Sequence, residues 1–118
     1  MNVDDILKKL PNCRLVSTID QSEDEDAWLA VRQKGIGGSD IGAISGVSPF
    51  SSAKQVYFNK TGMYQDELKP NDAAKERMHF GHMLEPVVAE EYARRTGAQL
   101  INLNCTVCHK DYPWARAN

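Results

Sequence analysis

Three glycines lie close together at Gly35, Gly37 and Gly38, and this stretch limits the fold of the chain more than any other. Glycine tolerates close backbone approach and conformations that end a helix, so the chain is expected to turn here. Arg32 precedes the turn, and Ser39 follows it at a position that fits a helix N-cap. Because a turn that opens onto a helix exposes N–H groups and a guanidinium binds phosphate well, the stretch predicts an anion site. A structural cap without a ligand is the alternative.

Hydrophobic spacing and capping residues predict helices on both sides of this turn. Ser22 begins a first capping box and Ser52 a second one. Trp28 lies one turn before Arg32, so we expect Trp28 to pack in the core and Arg32 to lie at the rim of the same face. The predicted helices cover residues 23–34, 40–45, 53–61 and 71–97, and a loop covers residues 63–71.

The last of these helices has the longest periodic pattern in the chain. Its apolar residues are spaced for one buried face, which consists of Phe80, Leu84, Val87, Val88 and Tyr92. Pro86 interrupts the pattern and predicts a bend over residues 82–86, because proline removes a backbone hydrogen bond inside a helix. Gly97 is expected to end the helix.

Extended segments are predicted near both ends of the chain. Residues 13–19 alternate weakly, and residues 99–103, 106–108 and 112–117 are typical of β-strands. Helices followed by the start of a sheet predict an α/β (α+β) fold class. Because residues 1–31 carry seven acidic and three basic side chains, we interpret residues 1–22 as an acidic leader and residues 23–118 as the domain.

Composition narrows the functional classes without naming one. The formal net charge of −2 does not indicate a nucleic-acid-binding protein, although it permits a local phosphate site. The three cysteines are an odd number, which argues against a disulfide framework. No apolar run approaches the roughly 20 residues that a membrane-spanning helix needs, and the acidic start differs from a signal peptide. We therefore expect a cytoplasmic protein that does not contact a membrane.

Glu85 is the carboxylate of most interest. It lies among apolar residues, immediately before Pro86, so a partly buried position with a cation or metal partner is one interpretation. The other is a glutamate at the start of a helix that resumes after the proline, where it interacts favourably with the helix dipole.

Three further chemical interpretations have weaker support. His79 and His82 share a helix face, and Cys105 and Cys108 precede His109, so a zinc site that joins these segments is one option, with surface histidines and strand cysteines as the other. A thioredoxin-like redox pair is less favoured, because the cysteines lie in a strand pattern. A nucleophilic serine at Ser39 would need a histidine base, and the spacing indicates none.

The motifs, taken together and in order, resemble the YqaJ-type viral recombinase family. These are phage-type exonucleases similar to lambda exonuclease, within the PD-(D/E)xK nuclease superfamily. The resemblance runs from about Trp28 to Asn118. It rests on Trp28-x-x-x-Arg32, Gly35-Ile36-Gly37-Gly38-Ser39-Asp40-Ile41, Gly46-x-Ser48-Pro49-Phe50, Tyr57-x-x-Lys60-Thr61-Gly62 and Phe80-Gly81-x-x-x-Glu85-Pro86.

The resemblance implies a 5′ to 3′ exonuclease that acts on double-stranded DNA ends with Mg²⁺ or Mn²⁺. It implies that Arg32, Ser39 and Gly38 bind the 5′-phosphate with Asn118 beside them, and that Glu85 is a catalytic carboxylate and metal ligand. It also implies a single-strand annealing protein as partner and leaves a homo-oligomer or a monomer open. By fold, the chain would be the N-terminal, mostly helical part of a restriction-endonuclease-like domain, with the start of its central sheet.

The family's catalytic Asp and Glu-x-Lys would follow residue 118. We therefore expect this polypeptide to be inactive alone, since Glu85 by itself cannot hold a metal tightly. A non-catalytic module that binds DNA ends or a protein is the alternative function.

Overall fold

A computed structural model describes residues 2–118 of the chain, which form two compact units. The first unit comprises the chain up to Gln65 together with Leu103–Asn118, and the second comprises Asp66–Asn102. The elements, in order, are α1 (Val3–Leu7), β1 (Cys13–Ser17), α2 (Glu25–Gln33), α3 (Gly38–Ile44), α4 (Ala53–Thr61), α5 (Asp72–Thr96), β2 (Thr106–His109) and β3 (Arg116–Ala117). Helices with a small sheet confirm the α+β class, whereas membership of the PD-(D/E)xK fold stays a prediction.

The sheet of the first unit is antiparallel, with the order β1-β2-β3. Strand β2 lies in the middle, and its residues Thr106, Val107 and Cys108 are buried. The predicted extended segment near residue 13 is confirmed as β1, in which Leu15 lies opposite Val107. This strand belongs to the segment that we interpret as the leader, so that segment takes part in the sheet.

Two of the strand predictions are wrong in extent. Residues 99–103 form no strand, and in 112–117 only Arg116–Ala117 is a strand. Their apolar pattern is suited to a strand, but a strand exists only where a neighbour supplies the hydrogen bonds. Within residues 2–118, the neighbours of β2 are β1 and β3, and a turn in which the Ala115 amide donates to the Tyr112 carbonyl at 2.9 Å delays the start of β3.

Helix α4 follows its sequence signals closely. The Ser52 hydroxyl accepts a hydrogen bond from the Gln55 amide, and the Gln55 side chain accepts one from the Ser52 amide. This is the predicted capping box, which satisfies two amides that the helix leaves unpaired. The helix ends at Gly62, whose φ of 77° is left-handed and favours glycine.

Helix α2 begins later than predicted. The carboxylate of Asp24 accepts a hydrogen bond from the Ala27 amide at 3.0 Å, so Asp24 is the N-cap. The capping box predicted at Ser22 is wrong, because its hydroxyl donates to Asp20 instead. The expected burial of Trp28 is also wrong, since α2 has no fully buried residue and Trp28 is half-buried.

Helix α5 lies in the second unit and begins at Asp72, close to its predicted start, with Asn71 as its N-cap. It continues through Pro86 as one helix to a left-handed Gly97; the bend stays a prediction. The predicted buried face is wrong: Phe80, Leu84, Val87, Val88 and Tyr92 are each 52–65% exposed. The second unit consists of one helix and its flanking loops, so it has no element of its own to cover this face.

Within residues 2–118, no helix combines the length and the apolar character that a membrane span requires.

Candidate phosphate-binding pocket

The guanidinium of Arg32 is held from two sides. Its central carbon lies 5.3 Å from the ring centroid of Trp28, one helical turn earlier. Its Nη2 donates a hydrogen bond of 2.7 Å to the Ser39 hydroxyl, across the glycine-rich turn. A cation over an aromatic ring and a charge-assisted hydrogen bond together restrict a flexible side chain. The expectation that Arg32 and Trp28 share a face is confirmed.

Ser39 reaches Arg32 because it does not cap its own helix. The N-cap of α3 is Gly37, and the Asp40 carboxylate accepts the Gly37 amide at 2.8 Å. The prediction that Ser39 is the N-cap is therefore wrong, and α3 starts two residues before the predicted position 40. Because Gly37 is the cap, the Ser39 hydroxyl is available to Arg32 and to a ligand beside it.

A cavity of about 360 Å³ lies against these two side chains. It brings together the predicted phosphate-binding residues Arg32, Gly38, Ser39 and Asn118. Among residues 2–118, the lining consists of Arg32, Gly37, Gly38, Ser39, Thr106, Arg116, Ala117 and Asn118. Within residues 2–118, this lining includes two arginines and no Asp or Glu, so its side-chain charge suits an anion.

The second guanidinium, Arg116 of β3, was missed by sequence reasoning. Its Nη1 donates a hydrogen bond of 2.8 Å to the carbonyl of Val31, next to Arg32. Its Nε is buried and has no hydrogen-bond partner within residues 2–118. A signal did exist, because residues two apart on a strand face the same side and Asn118 was already assigned to the pocket.

A larger cavity of about 440 Å³ also borders Arg32 but differs in charge. Its lining includes the acids Asp26 and Asp40 as well as Arg32 and Lys60. The four formal charges cancel, so this cavity does not favour an anion as the smaller one does.

Glu85, on α5 of the second unit, is exposed, so the interpretation of Glu85 as a partly buried carboxylate is wrong. It borders an apolar cavity of about 500 Å³ with Leu84, Val88, Tyr92 and Leu100 among the lining residues. Within residues 2–118, no group of three or more His, Cys, Asp or Glu side chains is arranged to hold a metal ion. These residues alone therefore do not fit a complete Mg²⁺ or Mn²⁺ site.

The surroundings of the two cysteines and of Ser39 do not favour the redox and nucleophilic roles considered for them. Cys105 and Cys108 are buried, and burial raises the pKa of the Cys105 thiol, opposite to the shift that activates a redox cysteine. Ser39 contacts a guanidinium, which cannot accept a proton, and so lacks the base that a nucleophilic serine needs.

Comparison with known proteins identifies the family. The family model described as the YqaJ-like viral recombinase domain matches residues 27–118. The uncharacterized protein YqaJ of Bacillus subtilis (strain 168) is 32% identical over 93 residues, which cover 79% of this chain and 28% of that protein. The chain thus spans less than a third of the length of this curated relative. No solved structure matches this chain. On the extent of the family match, the chain belongs to the YqaJ-like viral recombinase domain family.

Proposed function

We propose that the cavity beside Arg32 binds the 5′-terminal phosphate of a double-stranded DNA end, in a metal-dependent 5′ to 3′ exonuclease of phage-type recombination. The observation that carries the proposal is that, among residues 2–118, the lining of this cavity includes two arginines, two hydroxyl residues and one amide residue, and no acidic side chain. A terminal phosphate carries up to two negative charges and three acceptor oxygens, so it matches two cationic forks better than a hydroxyl end does.

Each polar group has a distinct part in this binding. Arg32 and Arg116 supply charge and N–H donors from opposite elements, α2 and β3. The Ser39 hydroxyl accepts from Arg32, so its own hydrogen is available to a phosphate oxygen. Asn118 also lines the cavity, and its side-chain amide would add a neutral donor.

The metal is part of this proposal only because the family resemblance implies it. Mg²⁺ or Mn²⁺ would supply a Lewis acid and an activated water. Glu85 is the carboxylate that the resemblance assigns to it. Since residues 2–118 hold no further group of metal ligands, no hydrolytic step is derived from them. A single-strand annealing partner and a homo-oligomer likewise stay predictions.

The test compares the affinity of the intact protein for two duplexes that differ only in a 5′-phosphate or a 5′-hydroxyl. We call the ratio of the two dissociation constants the phosphate preference. Replacing Arg32 by Ala should lower it roughly 10- to 150-fold, the equivalent of one charge-assisted hydrogen bond. Arg14→Ala removes an exposed positive charge on β1 and serves as the matched control.

Two outcomes would contradict parts of the proposal. An equal loss of affinity for both duplexes in Arg32→Ala would remove the phosphate role and leave a nonspecific backbone contact. Phosphate-dependent binding by an intact protein that degrades neither strand with Mg²⁺ or Mn²⁺ would instead favour the alternative, a non-catalytic module that binds DNA ends.

A further inference from the structure

Lys60, near the end of α4, joins the two sides of the glycine-rich turn. Its Nζ donates a hydrogen bond of 3.1 Å to the backbone carbonyl of Arg32 and lies 3.1 Å from Oδ2 of Asp40. The side chains of Lys60 and Asp40 are each only 15% exposed. One ammonium therefore contacts the last turn of α2 and the first turn of α3 at once.

The contact continues through Asp40 into the turn itself. The same oxygen, Oδ2, accepts the amide of Gly37 at 2.8 Å. A parallel link comes from Gln33, whose side chain donates to the carbonyl of Asn59, the residue before Lys60. The end of α4 thus holds both helices between which Arg32 and Ser39 form their 2.7 Å hydrogen bond.

Lys60 does not lie in the wall of the proposed phosphate pocket. It lines the larger cavity of mixed charge, on which Arg32 also borders. Its positive charge is already matched by Asp40 and by the dipole of a carbonyl, so little of it is left for an anion. Any effect of Lys60 on phosphate binding must therefore pass through the position of Arg32 and Ser39.

We propose that Lys60 is a positioning residue for the phosphate pocket. It sets the separation between the end of α2 and the start of α3, and so keeps the Arg32 guanidinium beside the Ser39 hydroxyl. The inference rests on the proposed phosphate site. Partial burial supports it, because an ion pair that is largely shielded from water is screened less by salt than a surface pair.

The test is Lys60→Met, which keeps the aliphatic stem and removes the charge. We expect the phosphate preference to fall roughly 5- to 10-fold, a part of the value of one charge-assisted hydrogen bond, while affinity for the 5′-hydroxyl duplex is unchanged. Lys54→Met on the same helix is the matched control, because Lys54 is exposed and its Nζ lies 5.7 Å from the Phe58 ring, with no ion pair to another side chain within residues 2–118. That variant should keep the wild-type preference.

A double mutant separates positioning from mere stabilisation. If Lys60 acts through Arg32, Lys60→Met should have no further effect on the phosphate preference in an Arg32→Ala background. A purely structural lysine would lower the melting temperature of Lys60→Met and leave its preference at the wild-type value, which would overturn the inference. If Lys60→Met does not fold, Asp40→Asn replaces it. That variant keeps an oxygen for the Gly37 amide, removes the ion pair and should show the same lowered preference.

The two proposals fail in different ways. A wild-type protein that binds both duplexes equally would refute the phosphate pocket. A wild-type protein that prefers the 5′-phosphate, with the preference intact in Lys60→Met and Asp40→Asn, would refute only the role of Lys60.

Discussion

Replacing Gly35 by alanine tests how tightly the pocket is built. Gly35 is buried and its φ is not left-handed, so its requirement for glycine is one of space. A Cβ at this position would lie 2.5 Å from Cδ of Arg116, 2.7 Å from its Nε and 2.8 Å from its Cγ. All three distances are below ordinary van der Waals contact, so the stem of Arg116 must move.

The loss of stability in Gly35→Ala is set by whichever of two responses of Arg116 costs less free energy. If Arg116 keeps its hydrogen bond to the Val31 carbonyl, the added methyl group strains the packing by about 1–3 kcal/mol. If Arg116 swings away, a charge-assisted hydrogen bond worth about 1.5–3 kcal/mol is lost, partly offset because the buried Nε regains water. We therefore expect Gly35→Ala to lower the free energy of unfolding by about 1–3 kcal/mol.

Urea unfolding followed by circular dichroism measures this change as a lower midpoint at constant slope. Gly42→Ala, inside α3, is the matched control: its Cβ would lie 3.7 Å from Cβ of Ser48, and it should stabilise the helix by about 0.5–1 kcal/mol. In an Arg116→Ala background the cost of Gly35→Ala should largely vanish, because the side chain that it displaces is gone. An unchanged cost in that background would refute the reasoning.

Three further predictions concern other parts of the chain. Ser52→Ala removes the capping box of α4 and should lower the free energy of unfolding by about 1 kcal/mol in the same urea assay. Hydrogen bonds from Arg94 and Arg95 lower the pKa of Glu91 to about 2, so the stability that this carboxylate contributes is present above pH 4.5 and lost as the pH falls towards 2. A carboxyl NMR titration should show the lowered midpoint of Glu91. High salt should raise that midpoint, since these side chains are exposed. A thiol reagent at pH 8 should label the partly exposed Cys13 before the buried Cys105, and equal labelling rates would contradict the burial of Cys105.

Local signals in the sequence were sufficient where both partners of a contact are close along the chain. The capping box of Ser52 and Gln55 and the helix end at Gly62 were predicted to the residue. The cap of α3 was not, because Ser39 and Gly37 both fit an N-cap, and the choice depends on Asp40 accepting the Gly37 amide. Ranking caps by residue type alone favours serine, whereas the observed geometry uses a backbone amide and a carboxylate.

Contacts between distant segments could not be predicted in the same way. The hydrogen bond from Arg116 to the Val31 carbonyl joins residues 85 positions apart, and no local sequence pattern predicts it. The apolar face of α5 shows the complementary problem. Periodicity identified Phe80 and Leu84 as members of one face but carries no information about what covers it.

The pocket depends on the sheet as much as on the helices. The amide of Ile36 donates to the carbonyl of Trp114 at 2.6 Å, and the amide of Arg116 donates to the carbonyl of Ile36 at 3.0 Å. Through this parallel bridge the glycine-rich turn lies beside β3, and the bridge sets Arg116 and the residues after it alongside Gly37 and its neighbours. Arg32 and Ser39 therefore supply only one side of the cavity, and the strand supplies the second cation. The turn alone therefore accounts for only part of the cavity lining, and we expect variants that disturb the Ile36 bridge to lower the phosphate preference, as we expect of Arg32→Ala.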